Sequence, residues 1–299
     1  MRSERSVLQK RSARTGVRLI ILWLIGYLCF RCYPFLSSFI YSFTDFNLFG
    51  EAPQFVGFDN YLTVFRDEKM TAALLRSFAY AGFTVPLKLL AALGVACLLC
   101  TKCRGIRMFR TIYYIPSLLG SSPAIAILWK SFFRTDGPLN ALLSLFGIQA
   151  VNWLGDPAYA LFVVGLLRVW QFGSAMLLFL GALQGVPHDI TEAAALDGAG
   201  PFRRFFSITL PMISPVLFYN LITQLAQTFQ EFNAPFIITQ GGPRSSTTLF
   251  SLLIYNEAFQ HYEMGQASAM AWILFLIVAS ISALAFLSQN AWVYYNDGR

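Results

Sequence analysis

Of 299 residues, 56% are hydrophobic and only 12% are charged, against about a quarter charged in soluble globular domains, which excludes an ordinary water-soluble enzyme. The net charge of +7 admits a nucleic-acid reading. However, the basic residues cluster beside apolar segments and carry no recognition motif, so membrane topology and anionic lipid explain them better.

Apolar runs long enough to cross about 30 Å of hydrocarbon fall near 17–43, 73–100, 108–133, 158–184, 212–238 and 267–291. They predict an all-α, multi-pass membrane protein with six transmembrane helices. The transmembrane part covers 17–292, between a basic tail 1–16 and a short tail 293–299. The first run follows a basic stretch, as a secretory signal would. It is about twice the usual apolar length and lacks a small-residue cleavage site, so it reads as a retained helix. A further semi-apolar stretch, Leu249 to Phe259, is too short to cross and reads as part of a loop. Arg2, Arg5, Lys10, Arg11, Arg14 and Arg18 precede the first run, and Lys102, Arg104, Arg107 and Arg110 separate the second from the third. Short cytoplasmic loops retain lysine and arginine, so both termini and the segment after the fourth run are expected inside the cell.

That segment, 187–211, is too polar to cross a bilayer. Asp189 stands three residues before Glu192, a capping-box-like start for a short helix continued by Ala193, Ala194, Ala195 and Leu196. Gly198 and Gly200 supply permissive backbone for a turn. Pro201 suits the first turn of a second helix carrying Arg203 and Arg204, and Pro211 closes the elbow.

Glu192, Ala193, Ala194, Gly198, Ile208, Leu210 and Pro211 match in full the spacing E-A-A, three residues, G, nine residues, I, one residue, L-P. The elbow thereby resembles the coupling motif of bacterial ABC importer permeases. From about residue 15 to 292 the chain is similar to the carbohydrate-uptake branch of that family, the maltose-type importers. Tyr41-Ser42-Phe43-Thr44-Asp45-Phe46, Val56-Gly57-Phe58-Asp59-Asn60-Tyr61, Asp197-Gly198-Ala199, Gly241-Gly242-Pro243 and Ser246-Thr247-Thr248 occur in the family's order. The chain lacks the extra N-terminal helices and large external insertion of the larger maltose permease subunit.

The resemblance implies the type I importer permease fold in a bacterial cytoplasmic membrane. It also implies a second homologous permease subunit, two cytoplasmic ATPase subunits that bind ATP and magnesium, and an extracytoplasmic solute-binding protein. In that frame Glu192 caps and docks the first short helix, Gly198 permits the turn, and Ala193 and Ala194 keep the contact face slim. The expected function is the permease half of an ATP-driven sugar or oligosaccharide importer working by alternating access. A permease for another solute class, or a non-transporting scaffold of the same fold, stays open.

No phosphate-binding G-x-x-x-x-G-K-[ST] loop, H-E-x-x-H or G-x-S-x-G occurs, so this chain is expected neither to hydrolyse ATP nor to act as an enzyme, and it needs no cofactor of its own. Cys29-x-x-Cys32 and Cys97-x-x-Cys100-x-x-Cys103 have a spacing seen in iron–sulfur sites, but a fourth ligand is missing and both sets sit on apolar runs, so they read as small apolar fillers. His188 and His261 fall in opposite loops, which leaves no metal site.

The fifth run carries Asn220, Gln224, Gln227 and Glu231 at steps of four, three and four, one face of a helix. Such a stripe faces other helices or a wet cavity, since lipid-facing amides are costly. Arg31, Lys88 and Arg168 lie near the expected midplane against one acid, Glu231. Their surplus charge is met either by bonding to carbonyls, snorkelling or pairing with a partner subunit, or by an acidic sugar as substrate. Trp170 and Tyr219, with Trp129, are candidates for stacking on sugar rings.

Overall fold

The computed structural model describes residues 16–17, 20–100, 105–120 and 122–294. The basic tail up to Arg18, Lys102, Cys103 and Arg104, and residues 295–299 lie outside them. The described residues hold helices joined by turns and irregular loops, with no strand and two isolated bridges, Thr44 with Phe55 and Asn47 with Glu263.

In chain order the helices are α1 (Ile20–Tyr41), α2 (Asp59–Arg66), α3 (Glu68–Leu99), α4 (Ile106–Leu119), α5 (Pro123–Phe132), α6 (Pro138–Ser144) and α7 (Pro157–Trp170). They continue with α8 (Gly173–Gln184), α9 (His188–Leu196), α10 (Pro201–Met212), α11 (Ser214–Phe229), α12 (Asn233–Ile238), α13 (Phe250–Phe259) and α14 (Met264–Trp292). The stretch expected as loop from Leu249 to Phe259 is therefore mostly the helix α13. Only α1, α3 and α14 are long and apolar enough to cross a bilayer alone, and three bent pairs pass the same test together, so the described residues hold three spans, or up to six.

The third, fourth and fifth expected spans are broken rather than straight. The α7–α8 break is bent by 44° and the α10–α11 break by 67°. The first of these lies beside a close backbone approach. A Cβ on Gly173 would lie 2.5 Å from the Tyr113 carbonyl oxygen, so its absence lets α8 start directly against α4.

The described chain divides into two units. One comprises the residues up to 66 with 254–273, and the other 67–253 with 274–294.

In the first unit the Tyr41–Phe46 and Val56–Tyr61 motifs are tied to each other. Asn60 Nδ2 donates to the carbonyls of Ser42 (2.9 Å) and Thr44 (2.8 Å), Val56 N donates to Phe43 O (2.9 Å), and Gln54 N donates to Asp45 Oδ1 (2.6 Å). Trp272 lies between Phe35 and Phe39, with ring centroids 4.7 and 4.8 Å away. A Cβ on Gly265 would lie 2.0 Å from Thr44 O, which makes glycine the residue that lets the start of α14 meet this loop.

In the second unit α3 packs on α7, α8 and α11. Val85, Leu89, Ala92 and Ala96 of α3 interlock with Ala175, Met176 and Phe179 of α8. At Gly165 of α7 a Cβ would come within 2.4 Å of the Phe83 ring, so the small residue sets the α3–α7 approach. Large apolar side chains such as Leu75, Leu90, Leu98, Leu284 and Leu287 stand exposed around this core. That is the pattern of a surface solvated by lipid tails rather than water. The far end of α14 is pinned to α11 by Phe286 and Trp292 against Phe218 and by Tyr294 N donating to Ser214 Oγ at 2.8 Å.

Candidate functional site

Three helix breaks of the second unit converge on one cavity of ≈330 Å³. Gly120 and Ser122 come from the α4–α5 break, Gln171 from the α7–α8 break, and Glu231 and Asn233 from the α11–α12 break. Broken helices free backbone polar groups that lipid cannot satisfy, and they are tolerated at membrane depth where they line a protected cavity. The Gln171 side chain illustrates this, donating from Nε2 to the Gly120 carbonyl at 3.0 Å. A Cβ on Gly120 would lie 2.3 Å from that side chain, so glycine is what permits the contact.

Charge enters the cavity from three helices. Arg168, near the end of α7, donates from Nη1 to Glu231 Oε2 at 2.8 Å, from Nε to Thr228 Oγ1 at 2.9 Å and from Nη2 to Gln227 Oε1 at 3.3 Å. Glu231 uses its other oxygen as acceptor for the Ala234 amide at 3.2 Å, opening α12. The side chains of this pair are 9% and 15% exposed. Lys88 of α3 also lines the cavity and is 4% exposed, with no hydrogen-bond or ion-pair partner among the described residues. It is repelled by Arg168 and attracted by Glu231. The fully buried Tyr80 hydroxyl has no partner and feels the same two charges.

The expected stripe is divided. Asn220 and Gln224 are buried, with Asn220 Nδ2 donating to Val216 O at 3.0 Å and Gln224 Oε1 unpartnered. Gln227 and Glu231 line the cavity, and Glu231 lies beyond the end of α11 rather than on it. Arg168 is ion-paired, so the expected surplus of three cations does not hold for it. Arg31 is exposed on α1, outside the unit that holds the cavity. Trp170 packs with Trp129 at 5.7 Å, Tyr219 is 58% exposed, and neither lines the cavity. Thr228, Gln171 and Ser174 were missed by sequence reasoning. Thr228 stands four residues after Gln224, so a strict four-residue step would have found it.

The elbow forms as two helices with corrected details. Pro187, not Asp189, is the N-cap of α9, and no side chain caps it. Asp189 sits two residues after that N-cap, in the first turn, where it favours the helix dipole instead. Glu192 lies mid-helix and exposed, so it caps nothing. Gly198 adopts φ +80°, and the amides of Ala199 and Gly198 return to Ala194 O (2.9 Å) and Ala195 O (3.1 Å). This is a Schellman closure, which needs a left-handed residue. Gly200, at φ −64°, uses none of its freedom and caps α10 ahead of Pro201.

Pro211 does not end the elbow, because α10 runs to Met212 and turns at Ile213. A π-helical stretch, Phe205–Thr209, precedes that proline, whose missing N–H leaves a carbonyl that regular α-geometry would orphan. Ile208, Leu210 and Pro211 are half-buried, and Leu210 packs against the α3–α8 core, so they anchor the elbow to the body. Leu196 and Phe202, 90% and 80% exposed, stand outward from it.

Residues 61–293 match the model of the family described as binding-protein-dependent transport system inner membrane component. The chain belongs to this family. It is similar to the probable ABC transporter permease YesP of Bacillus subtilis, with 42% identity over 99% of this chain and 96% of that one. The trehalose/maltose transport system permease MalF of Thermococcus litoralis is 34% identical, over 93% and 94% of the two chains. The sn-glycerol-3-phosphate permease UgpA of Yersinia enterocolitica is 33% identical, over 86% and 88%. Among solved structures, a chain of a bacterial alginate ABC transporter in complex with its pentasaccharide-bound periplasmic protein superposes with a TM-score of 0.79 at 22% identity, covering 93% of this chain and 95% of that one. The likeness shows the fold. The chain is an inner-membrane permease component of a binding-protein-dependent importer with the type I fold.

Proposed function

We propose that this permease forms half of the translocation path for a saccharide and that the cavity where three helix breaks meet is part of that path. The convergence of Gly120, Ser122, Gln171 and Glu231 on one polar volume carries the reading. Amides, hydroxyls and a carboxylate suit the many hydroxyls of a sugar. Relatives named for trehalose/maltose and for alginate support the substrate class.

A second homologous permease supplies the other half of the path. Two ATPase subunits bind ATP and magnesium and take up the elbow on the cytoplasmic side, with both termini of this chain on that side. A solute-binding protein delivers substrate from outside. ATP-driven closure of the ATPase pair moves α9 and α10, and the bundle alternates between inward- and outward-open forms.

The test is co-expression with the neighbouring permease, ATPase and binding-protein genes and reconstitution in vesicles. ATP-dependent, binding-protein-dependent saccharide uptake is expected. A complex whose ATP hydrolysis ignores the loaded binding protein, or that takes up no saccharide, contradicts the proposal.

A further inference from the structure

We propose that the Lys88 ammonium is the anion-binding element of the cavity, and that the transported saccharide carries a carboxylate or phosphate that seats on it. This deepens the saccharide reading above and rests on it. The cavity receives two cations and one acid. That acid already holds two partners, Glu231 Oε2 accepting from Arg168 and Oε1 from the Ala234 amide, and it forms no ion pair with Lys88 among the described residues. Arg168 is likewise saturated on the side facing α11, with Thr228, Gln227 and Glu231 as acceptors.

Lys88 is left with three ammonium donors and no acceptor among the described residues, buried on α3 where that helix packs on α7, α8 and α11. Buried charges are paired in folded proteins, and intramembrane cations mark substrate pathways by default. The ion pair with Glu231 accounts for the charge of Arg168, and no ion pair among the described residues does so for Lys88. Ser117, Ser122 and Ser174 line the same cavity and offer hydroxyls for the rest of a sugar.

The test uses the complete importer in nanodiscs of phosphatidylcholine, which bears no net charge, and calorimetric titration with matched pairs. One pair is trigalacturonate against its methyl ester. The other is glycerol 3-phosphate against glycerol. A preference of about tenfold or more for one charged member is expected. Lys88→Met should abolish that preference without weakening the neutral member, and Lys88→Arg should retain it.

An unchanged preference in Lys88→Met, equal loss of charged and neutral members, no preference in the natural protein, or no binding by any probe each overturns the anion subsite. Preference confined to glycerol 3-phosphate, with neither galacturonide bound, would keep the subsite and sink the saccharide reading.

Discussion

The elbow and the cavity are built by opposite means. The elbow is made of backbone: its turn is a Schellman closure through Gly198 at φ +80°, and its side chains Glu192, Leu196 and Phe202 stand exposed. The cavity is lined by residues of seven helices and the breaks beside them, and it holds the Arg168–Glu231 ion pair. On the proposed reading the elbow is a docking surface, which leaves its contacts unmade, and the cavity is part of a path, which must hold its charges. Among the described residues Arg168 is paired and Lys88 is not.

Substitutions can break this contrast. The largest effect should come from Arg168→Met, which strands the Glu231 carboxylate. Loss of one partner of a buried pair costs about 3–5 kcal/mol, so thermal unfolding of the purified complex should drop sharply, and adding Glu231→Gln should recover part of it. If the single variant unfolds like the natural protein, the pair is not buried as described.

Asn140→Ala serves as a control outside both regions. Its amide joins Val151 O (2.8 Å), Val151 N (3.1 Å) and Trp153 Nε1 (3.0 Å). Leaving buried groups unsatisfied costs about 1–3 kcal/mol. Protease sensitivity of the 133–156 loop should rise while ATP-driven uptake and coupling persist.

Gly198→Val forces a β-branched residue into left-handed backbone, a local cost of about 1–2 kcal/mol. Uptake should fall to background while membrane insertion is kept and cavity ligands still bind. Normal uptake would contradict the role of the elbow.

The smallest effect belongs to the exposed Arg134–Asp136 pair at 2.9 Å, which holds the Asp136 carboxyl below its ordinary range by hydrogen bonding and charge. A depressed carboxylate contributes stability at neutral pH and loses it only as pH falls through the lowered value. Arg134→Met should therefore move the Asp136 titration, followed by carboxyl NMR, up towards the usual range with little change in unfolding.

Much of this was legible in the chain itself. The E-A-A to L-P spacing placed the elbow, and the apolar runs placed the bundle, because both depend on local composition and period. Lys88, Arg168, Gln227 and Glu231 stood out as polar residues in apolar surroundings, and all four line the cavity. What stayed hidden depends on contacts between distant segments. Gly173 permits the approach of α8 to α4 and Gly120 that of Gln171, and neither glycine differs in sequence from any other. Trp170 and Tyr219 misled because aromatic residues in a chain 16% aromatic mostly pack, as Trp170 does on Trp129.

The most direct test follows access to the cavity itself. With the native cysteines replaced, Ser174→Cys places a thiol in the lining, and its labelling by a membrane-impermeant reagent is measured from each face of vesicles holding the whole importer. Labelling should switch from one face to the other when ATP and loaded binding protein are supplied, and Gly198→Val should abolish the switch. Labelling from the same face in both conditions, or a switch that survives Gly198→Val, would contradict the account.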